Sequence, residues 1–360
     1  MTEIFAPPLL DVKNLAVEFD TYGGTVKAVR GVSFSVEAGK TLGIVGESGC
    51  GKSVTVQALM GLVPMPPGRL TAGTASLRGQ DILGTTEIDG RDFRGSEIGM
   101  IFQDPMTSLN PTMTIGRQIA ETLEVHLGWS RERSFARAIE LLDLARIPEA
   151  AQRARQYPFE FSGGMLQRAM IAMAIACEPA ILIADEPTTA LDVTIQAQVL
   201  DLMSAMQARN GTAIILITHD LGVVARMADA VAVMYAGQIV EMGSVDDIFY
   251  RSAHPYTVGL RAAMPSNDSS ARHRLLPIKG SPPDLFAPPV GCAYAARCPH
   301  TMRICTEVEP PAFVTGPGHS GRCWLHHSSV AGGGETLRAM LPALHGKRGT
   351  TAPADREEQA

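Results

Sequence analysis

Short apolar segments of strand length are spread along the first 250 residues. Residues 9–19 (LLDVKNLAVEF) and 30–37 (RGVSFSVE) alternate apolar and polar side chains, as half-buried strands do. Residues 41–46 (TLGIVG) form a continuous apolar run that ends at glycine, and 52–62 (KSVTVQALMGL) follow with a helix-like spacing. The pattern predicts two half-buried strands, then a buried strand joined to a helix by a glycine-rich loop.

The middle of the chain changes to amphipathic helices before strands return. Residues 116–127 (GRQIAETLEVHL) and 131–147 (RERSFARAIELLDLARI) carry apolar side chains at helical spacing. Beyond residue 165, helices alternate with the apolar runs 180–185 (AILIAD) and 212–220 (TAIILITHD). This alternation predicts a parallel sheet covered by helices, with a helical insert at about 104–164.

The residue composition of the sequence changes again after residue 250. Residues 277–291 are rich in proline and glycine, which predicts an extended connector, and four cysteines follow it. From residue 331 the chain is rich in glycine, alanine and charged residues. We predict an α/β domain over 1–265, an extension over 266–330 and a disordered tail over 331–360.

Composition and charge exclude some classes of protein. The 360 residues are 45% hydrophobic and 19% charged, and the net charge of −6 gives no electrostatic case for nucleic-acid binding. The N-terminal segment MTEIFAPPLL lacks the pattern of a secretory signal, and no apolar run reaches the roughly 18 residues of a membrane span. We therefore expect a protein on the cytoplasmic side whose contact with the membrane runs through partners.

Residues 46–53 (GESGCGKS) fit the phosphate-binding loop G-x-x-x-x-G-K-S, and they lie between a predicted strand and a predicted helix. In such a loop the backbone N–H groups close around the phosphates, Lys52 reaches the β- and γ-phosphates, and Ser53 ligates Mg²⁺. The predicted nucleotide contacts are Gly46, Glu47, Ser48, Gly49, Cys50, Gly51, Lys52, Ser53 and Val54. Cys50 is either a neutral small residue or, because it precedes a helix N-terminus, a redox-sensitive thiolate.

A second acidic motif follows downstream. Residues 181–187 (ILIADEP) are an apolar strand that ends in two carboxylates. Asp185 is placed to support the Mg²⁺ shell, as the second-strand carboxylate does in P-loop NTPases. Glu186 is free to polarise a water for attack on the γ-phosphate. Together with the phosphate-binding loop, this motif predicts an ATP-hydrolysing site.

With these motifs, residues 10–265 resemble an ABC transporter nucleotide-binding subunit. Residues 161–165 (FSGGM) are similar to the signature LSGGQ of that family and differ from it at the first and last positions. The resemblance implies that Ser162, Gly163 and Gly164 bind the nucleotide held by the partner subunit, at a helix N-terminus that favours negative charge. It also implies a RecA-like P-loop core with an N-terminal antiparallel β-subdomain, the helical insert and a small cysteine-rich extension.

The same resemblance assigns four further positions. Gln103 matches the glutamine that contacts Mg²⁺ and water, His219 matches the histidine that contacts the γ-phosphate, and Asp192 matches a carboxylate at the dimer interface. The Mg²⁺ contacts are therefore expected from Ser53, Gln103 and Asp185, and the catalytic groups are Glu186, His219 and Gln103. Phe19 is the expected aromatic stacking partner of adenine, with Tyr22 as a nearby competitor.

Three segments are similar to dipeptide and oligopeptide importer ATPases: 101–111 (IFQDPMTSLNP), 254–260 (HPYTVGL) and 291–305 (GCAYAARCPHTMRIC). The resemblance implies ATP and Mg²⁺ as cofactors, a paralogous ATPase as dimer partner, two transmembrane permease subunits and an extracytoplasmic solute-binding protein. A homodimer is the alternative assembly. Relatives that carry nickel, glutathione or oligosaccharides share parts of these segments. A soluble ABC ATPase and an inactive half-site that only binds ATP are the rival functions.

Four clustered cysteines have the spacing C-x5-C-x6-C-x17-C. Four thiolates suit an iron–sulfur cluster or tetrahedral zinc. Thiols that bind no metal are the third interpretation. The absence of C-x2-C pairs counts against a zinc ribbon, and four nearby histidines are alternative ligands (His300, His319, His326 and His327). The resemblance to peptide importers implies a [4Fe–4S] cluster on Cys292, Cys298, Cys305 and Cys323.

Overall fold

A computed structural model describes residues 7–84, 87–88, 91–189, 191–264 and 277–340. The strands in these ranges are β1 (Leu10–Thr21), β2 (Gly24–Val36), β3 (Thr41–Val45), β4 (Gly68–Leu77), β5 (Gln80–Asp81), β6 (Glu87–Ile88), β7 (Arg91–Asp92), β8 (Ile98–Ile101), β9 (Ile181–Asp185), β10 (Ala213–Thr218), β11 (Ala230–Tyr235), β12 (Gln238–Ser244), β13 (Phe313–Gly316) and β14 (His319–Gly321). The α-helices are α1 (Lys52–Leu59), α2 (Pro105–Ser108), α3 (Ile115–Leu127), α4 (Arg131–Leu144), α5 (Ala150–Arg153), α6 (Gly163–Ala174), α7 (Val193–Asn210), α8 (Leu221–Met227), α9 (Val245–Tyr250), α10 (Pro255–Ala262), α11 (Arg303–Glu307) and α12 (Gly333–Met340). None of the helices described has the length and apolar character needed to cross a bilayer.

The main sheet has the strand order β13-β14-β12-β11-β3-β10-β9-β8, and its five strands from β11 to β8 are parallel. Strand β10 is buried along its whole length, because both faces of the sheet are covered. Ile214 and Leu216 pack with the helices α3, α4, α6 and α7. Ile215 and Ile217 face the other side, where α1 and a second sheet lie. The predicted mixed α/β fold is confirmed.

Three parallel strands bring the predicted site motifs to one edge of this sheet. Val45 at the end of β3 pairs with Thr218 at the end of β10, and Asp185 at the end of β9 pairs with Ile217. The carboxyl ends of β3, β9 and β10 are therefore adjacent, as is usual for ligand sites in open α/β sheets.

The second sheet is antiparallel, with the order β2-β1-β4-β5. Strand β1 lies at its centre and pairs with both β2 and β4. The apolar side chains Leu10, Val12 and Leu15 are buried against α1 and the main sheet, which explains the alternating pattern of this segment.

The helices between β8 and β9 form their own buried layer. Ile119 and Leu123 of α3, Leu142 of α4 and Met170 of α6 are each at most 1% exposed and belong to one cluster. Their spacing is that of amphipathic helices, so the helical segments predicted in this part of the chain are present.

The C-terminal extension adds two strands to the main sheet. Strand β14 pairs antiparallel with β12, with Glu241 opposite Gly321, and β13 pairs with β14. The sequence predicted a small extension without saying how it packs, and here it continues the sheet of the α/β domain. Part of the tail predicted to be disordered differs, because α12 buries Leu337 against Cys323 and Leu325. Residues 341–360 of that tail lie outside the described residues.

A buried carboxylate joins the extension to the core. Glu241 of β12 is 1% exposed. Its oxygens accept hydrogen bonds from the N–H groups of Ala253 at 2.6 Å and His254 at 2.9 Å, and Oε1 lies 3.0 Å from Nε2 of His319 in β14. One side chain therefore connects β12, the start of α10 and β14.

Candidate functional site

The phosphate-binding loop leaves β3 and enters α1 through backbone conformations that need glycine. Gly49 and Gly51 have φ of 78° and 99°, in the left-handed region. A Cβ at Gly51 would lie 2.3 Å from the carbonyl oxygen of Ala28, and one at Gly46 would lie 2.2 Å from that of Met234. The glycine pattern of the motif therefore follows from close backbone packing. Ser48 and Gly49 are exposed at the mouth of the loop, and Val54 is half-buried in α1.

Lys52 lies at the centre of the loop and is 5% exposed. Its Nζ donates to the carbonyl oxygens of Gly46 at 2.9 Å and Glu47 at 3.1 Å. The N-terminus of α1 and this ammonium group together supply the positive end of a phosphate site.

Ser53 and Asp185 meet where α1 approaches the end of β9. The Ser53 Oγ donates to Asp185 Oδ1 at 3.0 Å. Burial raises the pKa of Asp185, and the hydrogen bond from Ser53 opposes that shift. A hydroxyl and a carboxylate are hard oxygen ligands of the kind that Mg²⁺ prefers, so this pair fits the predicted metal position.

Glu186 contacts each of the other candidate catalytic groups. Its Oε2 accepts hydrogen bonds from Gln103 Nε2 at 3.3 Å and from Thr189 Oγ1 at 2.9 Å. Its Oε1 lies 3.5 Å from Nδ1 of His219. Of the three residues predicted to be catalytic, Gln103 and His219 therefore each reach Glu186, although the three come from separate segments.

The backbone of Glu186 is also unusual. Its φ is 48°, in the left-handed region that residues other than glycine rarely adopt. The N–H of Glu186 donates to the carbonyl oxygen of Ile217 in β10 at 2.9 Å, which holds the residue in this conformation. Strain of this kind clusters at functional sites.

The predicted signature residues begin a different helix. Ser162 caps α6 by accepting a hydrogen bond from the N–H of Met165 at 3.4 Å, and a Cβ at Gly163 would meet nothing within 4 Å. Within the described ranges, no hydrogen bond or ion pair links 162–164 with the phosphate-binding loop. Asp192 similarly caps α7, by accepting from the N–H groups of Thr194 and Ile195 at 3.0 Å each.

The two aromatic candidates for adenine lie in contrasting surroundings. Phe19 pairs with Val26 and Gly68 inside the antiparallel sheet and is partly buried against its core. Tyr22, at the turn between β1 and β2, is fully exposed. A free aromatic face is therefore available at Tyr22 and is reduced at Phe19.

Cys50 does not have the properties expected of a redox-sensitive thiolate. It is 5% exposed, and burial raises the pKa of its thiol, an effect that the neighbouring charge of Lys52 only partly opposes. The nearby helix N-terminus does not offset the effect of desolvation on the pKa of this thiol. Burial and the raised pKa favour the interpretation of Cys50 as a neutral small residue over that of a redox-sensitive thiolate.

The iron–sulfur prediction requires correction. Within the described ranges no three His, Cys, Asp or Glu side chains are grouped so that they could hold a metal ion. The cysteines of the extension line a small apolar cavity with Tyr294, Met302 and Trp324. Burial raises the pKa of Cys292 to about 11 and that of Cys323 to about 12, so both thiols are neutral when no metal is bound. The absence of a metal-binding group in the described ranges contradicts the [4Fe–4S] cluster predicted on Cys292, Cys298, Cys305 and Cys323.

Sequence reasoning missed two kinds of contact at this site. Thr189, which bonds Glu186, lies only three residues beyond it, and the segment TTALD could have indicated it. Arg297 and Tyr256 bond Glu47 from the C-terminal part of the chain. No local pattern in the sequence connects Tyr256 and Arg297 with a loop residue that lies 209 and 250 positions away from them.

The geometry agrees with comparisons to known families. Residues 29–189 match the family described as ABC transporter, and residues 240–305 match the family described as oligopeptide/dipeptide transporter, C-terminal region. The first match contains the phosphate-binding loop, the signature segment and Glu186. The second spans β12, α10 and three of the clustered cysteines.

Several curated proteins are similar over most of their length. The oligopeptide transport ATP-binding protein OppD of Bacillus subtilis is 57% identical over 319 residues, which is 89% of either chain. The dipeptide transport ATP-binding protein DppD of the same organism is 53% identical over 88% of this chain and 94% of its own. Among solved structures, the dimeric bacterial ABC transporter cassette MJ0796 superposes with a TM-score of 0.57 at 26% identity, covering 66% of this chain and 98% of that one. The same cassette is also known in a post-hydrolysis state bound to ADP and Pi.

Proposed function

The chain belongs to the ABC transporter family, in its oligopeptide and dipeptide branch, and from that premise we propose that it hydrolyses ATP to energise import of dipeptides or oligopeptides. The observation that carries the proposal is the pair of contacts that Glu186 makes with Gln103 and His219. A general base needs a carboxylate that is held in place and close to the groups that orient water. Gln103 and His219 meet that need from two sides.

Each residue at the sheet edge has a separate task in hydrolysis. Lys52 and the loop N–H groups bind the β- and γ-phosphates, and Ser53 and Asp185 would hold Mg²⁺, with Gln103 beside them. Bound Mg²⁺ would neutralise charge that develops on the phosphate oxygens. Glu186 accepts a proton from the attacking water, and His219 contacts the γ-phosphate.

The signature residues act on a second subunit. Ser162, Gly163 and Gly164 are exposed or half-buried at the start of α6 and share no hydrogen bond or ion pair with this chain's own phosphate-binding loop in the described ranges. We assign them to the nucleotide of a partner ATPase, with Asp192 at the shared interface. The MJ0796 cassette, with which this chain superposes, is dimeric in both of its structures, which supports this arrangement. The partner is a paralogous ATPase, and a homodimer is the alternative.

Tyr22 is the better candidate for stacking on adenine. Stacking needs an uncovered ring face, which the exposed Tyr22 offers more fully than the partly buried Phe19. Substitution of Tyr22 by alanine should therefore weaken ATP binding more than substitution of Phe19 by leucine.

The wider assembly follows from the curated relatives, which are named as ATP-binding proteins of peptide transport. We place this chain peripherally on the cytoplasmic face of the membrane, where it binds two permease subunits. An extracytoplasmic binding protein delivers the solute to those permeases. Nickel, glutathione or an oligosaccharide is the alternative cargo.

Uptake of a labelled peptide by membrane vesicles tests the proposal. The vesicles contain the chain, its partner ATPase, the two permeases and the binding protein. They should accumulate peptide only when ATP is present on the side of the membrane that carries the ATPase subunits. The Glu186→Gln variant should abolish accumulation. ATP hydrolysis that responds to nickel, glutathione or an oligosaccharide but not to peptide would refute the peptide assignment and keep the ATPase.

A further inference from the structure

A contact between the C-terminal extension and the phosphate-binding loop has no part in the mechanism above. Glu47, the second residue of the loop, receives two hydrogen bonds from the guanidinium of Arg297. Nη1 lies 2.8 Å from Oε2, and Nη2 lies 3.0 Å from Oε1. Because a bidentate pair fixes both the distance and the orientation of a carboxylate, Arg297 constrains a residue of the ATP site from 250 positions away.

Arg297 is itself held rigidly. Its Nε donates to the carbonyl oxygen of Lys279 at 3.0 Å, Nη1 also reaches the Tyr235 hydroxyl at 3.2 Å, and Nη2 reaches the carbonyl oxygen of Ile278 at 3.4 Å. The side chain is 5% exposed. The hydrogen bond to Glu47 is the main cause that raises the pKa of Arg297, so the group remains charged. Its position is therefore set by the connector and by the end of β11.

The backbone of Glu47 is held as well. Its N–H donates to the Tyr256 hydroxyl at 2.9 Å. Tyr256 is fully buried in α10, and its ring packs against those of Tyr235 and Tyr294, with centroids 4.6 Å and 5.5 Å away. An aromatic cluster outside the loop therefore fixes the main chain of Glu47 while Arg297 fixes its side chain.

These contacts lead directly to the phosphate-binding group. The carbonyl oxygen of Glu47 accepts a hydrogen bond from Lys52 Nζ at 3.1 Å. A shift of Glu47 therefore moves an acceptor of the ammonium that binds the phosphates. Misplacement of a binding group by a fraction of an ångström is costly in such sites.

We propose that Arg297 is a positioning residue for the phosphate-binding loop, acting through Glu47, so that the C-terminal extension sets the affinity of the ATP site. The inference rests on the ATPase function proposed above and extends it, because it assigns the extension a task in nucleotide binding.

Titration calorimetry of Mg-ATP on the full-length chain tests this inference, with no permease or peptide present. Arg297→Lys keeps the charge but removes the two-point contact, and Glu47→Gln removes the acceptor charge from the loop side. Each should raise the dissociation constant about tenfold, as expected when a charge-assisted hydrogen bond is lost. The double variant should be no weaker than either single variant, because both remove the same contact.

Arg322→Lys is the matched control. Arg322 lies in the same extension and pairs with Glu309 at 2.9 Å without touching the loop, so its dissociation constant should stay within about twofold of the wild type. A tenfold rise for the two test variants, non-additive and absent from the control, supports the inference.

Three outcomes overturn it: an unchanged dissociation constant in Arg297→Lys, additive effects in the double variant, or an equal rise in Arg322→Lys, which would indicate general loosening. If Arg297→Lys does not fold, Glu47→Gln decides, because it tests the contact without altering the extension. A wild-type chain that binds Mg-ATP but energises no peptide uptake would refute the importer role and leave this comparison intact.

Discussion

At the scale of residues, the site depends on carboxylates in different surroundings. Asp185 is buried beside Ser53, whereas Glu186 reaches into a cluster with Gln103 and His219. The sequence indicated all five of these positions, the first three through two short motifs of fixed spacing (Ser53, Asp185 and Glu186). Gln103 and His219 were indicated by the resemblance to the family. It could not indicate the left-handed backbone of Glu186, because that conformation depends on a hydrogen bond to β10.

Glu186→Gln should lower ATP hydrolysis by about 10²–10⁴-fold, because an amide cannot accept the proton of the attacking water. Binding of Mg-ATP should be kept. Phosphate release at saturating ATP measures the first effect, and calorimetry measures the second.

Glu178→Gln is the control for that variant, since Glu178 also has a positive φ of 53° but is paired with Arg137 on the surface. Its hydrolysis rate should stay within about twofold of the wild type. Near-normal phosphate release in Glu186→Gln would remove Glu186 from the role of base.

Cys50 should react slowly with N-ethylmaleimide in the folded protein, because its thiol is buried and its pKa is raised. Mass spectrometry of the peptide that contains Cys50 measures the labelled fraction. The same peptide should label fully in guanidinium chloride, which serves as the control. Rapid labelling of the folded chain that Mg-ATP prevents would restore the redox hypothesis.

At the scale of elements, predictability follows the strength of the local pattern. Strands β3, β9 and β10 are continuous apolar runs and were recognisable from the sequence. Strands β13 and β14 were not, because their segment is rich in glycine and proline and Val314 is 83% exposed. These strands exist because β12 offers a free edge, and such non-local pairing leaves little trace in sequence.

Helix α9 has a cap that depends on pH. Asp247 shares hydrogen bonds with Ser244 at the helix N-terminus and pairs with Arg251. Burial alone would raise the pKa of Asp247, but the hydrogen bonds from Ser244 and Arg251 outweigh it and lower the pKa. A lowered carboxyl pKa contributes stability above the ordinary value, and that stability is lost as the pH falls through the folded value.

Asp247→Ala should therefore reduce the free energy of unfolding by about 1 kcal/mol at pH 7. The difference from the wild type should shrink as the pH falls from the ordinary carboxyl range through the lowered folded value, where the wild-type carboxylate becomes protonated. Urea unfolding at pH 7 and at a series of acidic pH values measures it. Asp143→Ala, on the exposed face of α4, should show no such pH-dependent loss, and an equal loss in both variants would contradict the cap assignment.

At the scale of the whole molecule, the extension is part of the main sheet. Family resemblance predicted that an extension exists, but its pairing with β12 and its contact with the ATP site required the structure. The α/β fold of the core was predictable, and the residues of its candidate site could be proposed from the sequence. The contacts between segments far apart in sequence were not predictable, because they depend on packing rather than on local spacing.

Glu241→Gln tests how strongly the extension is attached. The amide would turn one acceptor into a donor facing the N–H groups of Ala253 and His254, and a buried unsatisfied group costs about 2 kcal/mol. The midpoint of urea unfolding should fall accordingly. Glu309→Gln, whose carboxylate is 37% exposed, should cost about 1 kcal/mol or less. Equal effects of the two substitutions would show that Glu241 is not a special attachment point.

The separation between Glu47 and Arg297 has a consequence for the growing polypeptide on the ribosome. At about 5–20 residues per second, the 250 residues between them are translated in roughly 12–50 s. During that interval the phosphate-binding loop lacks its guanidinium partner, and strand β12, once it is made, lacks its neighbour β14 until residues 319–321 follow. An open strand edge of this kind invites pairing with other chains, so the newly made protein is most in need of chaperones just before its C-terminal segment emerges.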